Sequence, residues 1–236
     1  MSTEVNHNVA VHRTGFVSSV SLFIVTLVTF GLAMTAVPKS GPFCTGNCIE
    51  YPYTDSLDFY PGDYYWMYLA VVQMAVWLVF MISVHYNYLK NKNVFGFTAV
   101  VFASLSVVIL FSDYFIQFSV IPVSLMKGET DGIALLTQYN DHGIFIAMEE
   151  AGYIMMSVAF MFMALTVNAG SKAERWLKRI FLFPFIVSVI LFAWLSIKFG
   201  ADRSYRFEIW VISINWLAML AGSLIAGVIF YRHLKK

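Results

Sequence analysis

Six apolar runs, each close to the length needed to cross a bilayer, dominate this chain; they cover approximately residues 16–37, 64–86, 94–120, 144–167, 180–199 and 209–231. A transmembrane helix needs about 20 consecutive apolar residues. Within hydrocarbon, only helices and closed barrels satisfy their own backbone hydrogen bonds. The runs therefore predict an all-α polytopic bundle of six spans, with residues 1–236 forming a single integral membrane domain. Composition points the same way: 59% of residues are hydrophobic and 12% charged, about half the charge of a soluble domain. The first run ends in Ala33-Met34-Thr35-Ala36-Val37-Pro38, small residues at cleavage-like spacing. It is nevertheless longer than a signal-peptide core, and retention as a signal anchor is expected.

Lys and Arg set the orientation. If the N-terminal side is inside, the inner segments hold Arg13, Lys90, Lys92, Lys172, Arg175, Lys178, Arg179, Arg232, Lys235 and Lys236. The outer segments hold Lys39, Lys127, Lys198, Arg203 and Arg206. This bias predicts cytoplasmic termini in a multi-pass protein of the cell membrane, with the outer loops in an oxidising compartment. No basic stretch of the kind that binds nucleic acid occurs.

Ionisable side chains inside spans are costly and by default mark function. Asp113 and Gln117 share a face of the third span, and Glu149 and Glu150 sit in the fourth. With ~1.5 Å of rise per residue, Asp113 lies ~10 Å below the outer face, Glu149, Glu150 and Asn215 ~8–9 Å, and Gln73 ~13 Å. Lys198 is shallower, where a lysine snorkels. Polar groups from five helices thus converge on the outer half of the bilayer. Adjacent helical residues point about 100° apart. Asp113, Gln117 and Glu149 are therefore expected to line a cavity, with Glu150 bonded to a neighbouring helix. Asp113 and Glu149 are the candidate catalytic carboxyls. Gln73, Gln117, His142, Glu150, Tyr153, Asn215 and Trp216 are the candidate ligand contacts, with aromatic walls from Phe115, Phe118, Tyr153, Trp194 and Trp216.

The outer loops add three readings. Cys44 and Cys48, four residues apart in an exterior loop, predict a local disulfide. Asp141 is expected to cap the fourth span, and His142, about two turns before Glu149, is placed to relay protons. Tyr64-Tyr65-Trp66 reads as part of an interfacial aromatic belt.

Five histidines, four of them on the predicted inner side, do not supply a His-rich metal centre, and HExxH, GxSxG, Walker A and GxGxxG patterns are absent. No metal site is expected, and the sequence identifies no cofactor. Carboxylate chemistry remains: proton relay, cation binding, or acid–base work on a lipophilic substrate. Asp113 with Gln117, Met148-Glu149 and Asn215-Trp216 loosely resemble the emopamil-binding, sterol-isomerase group. The chain departs from that group in lacking its first-helix His and in its Asn-to-Trp spacing; the resemblance implies acid–base chemistry on a sterol-like lipid. The leading expectation is a transporter- or receptor-like protein that binds a small lipophilic or cationic ligand, an ion or a lipid in this outer pocket. The alternatives are an intramembrane isomerase, and an accessory subunit with a structural polar layer that meets a membrane partner through its outer loops.

Overall fold

The computed structural model describes residues 2–36, 38–89 and 93–235. Lys90, Lys92 and Lys236, three of the basic residues behind the predicted orientation, and Val37, the predicted end of the first span, lie outside the described residues. Those described contain eight helices and no strand: α1 (Ser2–Ala33), α2 (Tyr65–Asn87), α3 (Asn93–Ser119), α4 (Ile121–Met126), α5 (Ile133–Leu136), α6 (Ile144–Thr166), α7 (Lys172–Phe199) and α8 (Tyr205–Leu234). Six of them are long and apolar enough to cross a membrane.

The long helices form a ring in chain order, α1–α2–α3–α6–α7–α8, which closes where α8 packs antiparallel against α1. Phe30 meets Trp216 edge-on at 5.6 Å near one end of that seam, and His12 meets His233 at 4.9 Å near the other. Both chain ends therefore sit at the same end of the bundle. α6 also touches α8 and α2 across the ring, which places its Glu149, Tyr153 and Met156 in the buried centre. Side chains such as Val108, Ile190 and Ile197 point outward, as lipid-facing residues do.

Helix boundaries depart from the apolar runs where capping decides them. α7 begins at Lys172 rather than Ile180, because Ser171 accepts from the Glu174 N–H while the Glu174 carboxylate accepts from the Ser171 N–H. This reciprocal capping box starts a helix on polar sequence. α6 is preceded by Gly143 with no side-chain cap. The expected cap, Asp141, instead accepts from Ser204 Oγ and pairs with His142 at 3.0 Å. The third apolar run breaks at Val120, and α4 restarts with Pro122 in its first turn, where a missing N–H costs nothing.

At the end opposite the termini, residues 38–64 and 120–143 fold into a cap. Cys44 and Cys48 are joined by a disulfide. Ile49, Tyr53 and Tyr139 form a small core of their own, packed by Phe59 and Ala134. The Tyr139 hydroxyl donates to Asp63 at 3.1 Å. Burial, then the neighbouring Tyr64 and Asp63, push its pKa upward, so it stays a donor at neutral pH.

Close approach of α3 and α6 depends on Gly152. Ser106 Oγ donates to its carbonyl at 2.8 Å. A Cβ at this position would sit 2.6 Å from the buried Leu110 side chain. Overpacking of this kind costs about 1–3 kcal/mol. Gly152→Val should therefore lower the thermal unfolding midpoint of the purified protein by several degrees; an unchanged midpoint would show that the two helices have slack here.

Candidate functional site

Glu149 lies on the inward stripe of α6 and is 0% exposed. A carboxyl at this depth needs partners, and one of its two oxygens has a partner. On the α3 side, the Tyr114 hydroxyl donates to Glu149 Oε1 at 2.8 Å. Tyr114 is in turn 2.9 Å from the Tyr153 hydroxyl, which accepts from Trp216 Nε1 of α8 at 2.9 Å. Tyr153 follows Glu149 by four residues and so shares its stripe. One hydrogen-bonded line from three helices thus fixes the Glu149 carboxyl.

The other side belongs to Glu208, in the first turn of α8. Its carboxyl is close enough to Glu149 for the two to influence each other electrostatically. Glu149 Oε2 and Glu208 Oε2 are both shielded from solvent, and neither has a donor. Two carboxylates have no hydrogen to offer each other. Such a pair is completed by a shared proton or by a donor or cation lodged between them.

Both glutamates line a cavity of about 330 Å³ between α1, α2, α6 and α8. Its walls are largely aromatic and aliphatic: Phe30, Trp66, Phe145, Ile212 and Trp216. Its roof is the cap, through Pro38, Lys39, Asp63, Gln138 and Tyr139. The roof is tied to α8 by Tyr205, whose hydroxyl donates to the Gln138 carbonyl at 3.0 Å and accepts from Ser40 Oγ at 2.6 Å. Met34 at 74% and Ile209 at 40% exposure border the cavity. Both lie at the cap end of the α1–α8 seam, where α1 ends and α8 begins.

The residues singled out in the sequence distribute as follows. Glu149 and Trp216 line the cavity. Tyr153 is buried behind it, in the hydrogen-bonded line. Asp113 is buried, with Oδ2 unpartnered, close enough to feel the charge of Glu149. Gln117 secures the cap: Nε2 donates to the Leu136 carbonyl at 2.5 Å, and Oε1 accepts from the Gln138 N–H at 2.9 Å. Glu150 pairs with Arg203, just before α8, at 3.3 Å. Asn215 engages the Tyr153 and Val211 carbonyls and Ser157 Oγ, while Ser157 also meets Ser188. Gln73 contacts Thr26 and Met219. The His142 side chain is 77% exposed and faces Asp141, away from the cavity lining. Phe115 and Trp194, expected as cavity walls, are half exposed on the outside of the bundle, and Phe118 stacks on Tyr68. Trp66, expected in the interfacial belt, is a wall of the cavity.

Two residues of the site escape the apolar-run reading. Glu208 falls in a loop if the last helix starts at Ile209. Starting it at Tyr205 puts Glu208, Ile212 and Trp216 on one stripe, and that spacing is visible in the sequence. Tyr114 carries no signal beyond being a hydroxyl next to Asp113 in an apolar span. Among the described residues, no group of three or more His, Cys, Asp or Glu side chains is arranged to hold a metal ion. Comparison of the chain with known protein families, curated proteins and solved structures finds no match.

The tyrosine line should behave as one unit. Tyr114→Phe leaves Glu149 Oε1 without its donor, and Tyr153→Phe leaves Trp216 Nε1–H without its acceptor. Each should cost about 1–3 kcal/mol. Because the partners are shared, the double variant should cost less than the sum, with a coupling of roughly 0.5–3 kcal/mol in a double-mutant cycle. Strict additivity in that cycle would mean that the two hydroxyls act independently.

Proposed function

We propose that this chain is a ligand-binding membrane protein, transporter- or receptor-like, whose cavity takes the donor-bearing head of a lipophilic molecule between Glu149 and Glu208. The observation that carries this reading is that two glutamates line a largely apolar cavity and each has a buried oxygen, Glu149 Oε2 and Glu208 Oε2, without a hydrogen-bond partner. An amine or hydroxyl head supplies the missing hydrogen, and a carboxylate head does not. A mouth between the exposed Met34 and Ile209, at the α1–α8 seam, favours a ligand that arrives through the lipid. With both termini cytoplasmic, as the Lys and Arg bias predicts, this mouth faces the outer leaflet of the cell membrane. Cys44–Cys48 then lies in an oxidising exterior, where such bridges persist.

A second reading, acid–base chemistry on a lipophilic substrate, draws on one feature. Tyr114 fixes one oxygen of Glu149, a residue that lines the cavity, while the other oxygen has no partner. A carboxyl held this way is oriented for proton exchange with a bound molecule.

The test is thermal stability of the purified protein with size-matched hydrophobic amines, alcohols and carboxylic acids. A ligand at 100-fold its Kd stabilises by about 2.7 kcal/mol. Amines or alcohols should raise the unfolding midpoint by several degrees, and acids should not. Glu149→Gln and Glu208→Gln should fold with nearly unchanged midpoints and lose that shift. Equal shifts in wild type and both variants, or a preference for acids, would contradict the reading.

A further inference from the structure

A second hollow accompanies the cavity. On the lipid-facing side of the same α1–α8 seam, closer to the chain termini, lies a groove of about 500 Å³. Its floor is Ser19, Ser223 and Gly227, and its sides include Phe23, Leu224 and Val228. Small residues make the floor: a Cβ on Gly227 would already lie 3.4 Å from Ser19 Cβ. Each end of the seam is marked by an aromatic pair bridging α1 and α8. Phe30 and Trp216 stand in the cavity, and Phe16 and Tyr231 in the groove, with centroids 5.7 Å apart.

The two hollows are in register. On α8, Ile209, Ser213 and Trp216 line the cavity, and Ser223, Gly227 and Tyr231 line the groove. These positions recur at three-, four- and seven-residue spacing, one helical stripe, with Leu220 between the two sets. On α1, Phe30 leads through Leu27 to Phe23, Val20 and Phe16 in the same way. Trp216 and Val228 are twelve residues apart, ~18 Å along the helix at 1.5 Å per residue. That is a little more than half the ~30 Å hydrocarbon thickness of a bilayer, the reach of one long acyl chain.

We infer that the ligand is a single long-chain amphiphile, its amine or hydroxyl head between Glu149 and Glu208 and its alkyl chain laid along the α1–α8 seam into the groove over Ser223 and Gly227. This inference rests on the cavity reading above and adds the ligand class and the path of its tail. Two independent features of the seam meet in it: unpartnered carboxyl oxygens at the cavity, and a notch of small residues one chain length away on the same stripe. A compact ligand such as a free metal ion or a short amine would fill the cavity and leave the groove to bulk lipid. Bulk lipid is as apolar as the tail, so the gain comes from close packing in the notch and from the anchored head.

Photolabelling of the full chain in lipid nanodiscs tests this. The probe is a long-chain primary amine with a diazirine at the chain end, run beside the matching alcohol and carboxylic acid. Labelled peptides are mapped by mass spectrometry. The amine or the alcohol should label residues 19–24 and 223–228, in competition with the unlabelled compound; which of the two does so identifies the head group. Glu149→Gln with Glu208→Gln should reduce that labelling several-fold. Gly227→Leu, which fills the notch, should also move the label elsewhere while the amine still raises the unfolding midpoint. Labels spread over the outward faces of α3 and α7, at Val108 or Ile190, with a Glu149-dependent midpoint shift intact, would overturn the tail path and leave the cavity reading standing. Labelling by the acid equal to that by the amine, unaffected by the glutamate variants, would overturn both.

Discussion

Two buried carboxyl groups beside one cavity, in a bundle of membrane-spanning length, are the constraint that the rest of this structure answers to. An ionised carboxylate in hydrocarbon is among the most expensive groups a fold can hold, and a second one beside it adds repulsion. Tyr114 donates to one oxygen of Glu149, and the other is buried without a partner. Glu208 is brought there by the first turn of α8, whose start is fixed by Ser204, Tyr205 and the cap residues they bond. The cap is therefore part of the site: it seats α8 at the height where Glu208 meets Glu149.

The same arrangement explains the uneven distribution of polar groups in the bundle. Polar side chains around the cavity have largely been committed to holding helices: Asn215 to Ser157 and two backbone carbonyls, Glu150 to Arg203, Gln117 to the cap. Among the described residues they leave few buried atoms without a partner: Oε2 of Glu149 and of Glu208, Asp113 Oδ2, Gln73 Oε1, Trp77 Nε1 and, in the cap and the segment before α8, Ser56 Oγ, Gln138 Nε2 and Arg203 Nε. In a membrane interior most polar side chains act as interhelical ties, and the few left without partners mark where chemistry with a ligand is available. Gly152 works toward the same end, because without a side chain there α6 approaches α3 closely enough for Tyr114 to reach Glu149.

Much of the fold is legible in the sequence, because hydrocarbon thickness imposes a length on every apolar run. Six runs give six long helices, and the sites where the chain disagrees with the runs are sites of local hydrogen bonding. α7 starts early because Ser171 and Glu174 cap it, and α8 starts early because Tyr205 is anchored in the cap. The second disagreement hides Glu208, since a run-based boundary places it in water. Depth along a helix is readable from sequence, and it locates Glu149 and Trp216 in one layer. Direction is readable only relative to the same helix. That limit explains why Phe115 and Trp194, at the right height, turn out to face lipid, while Trp66 faces the cavity. Whether a buried amide such as Gln117 or Asn215 is free or already bonded depends on a neighbouring helix that the sequence does not position.

The pairing of Glu149 with Glu208 is the centre of this account, and direct imaging of the protein in lipid nanodiscs tests it best. Cryo-electron microscopy at a resolution that shows carboxyl orientation should find the two groups turned toward each other across the cavity, with density for a bound head between them. Carboxyls turned apart onto separate protein partners, with the space between them closed by side chains, would contradict it.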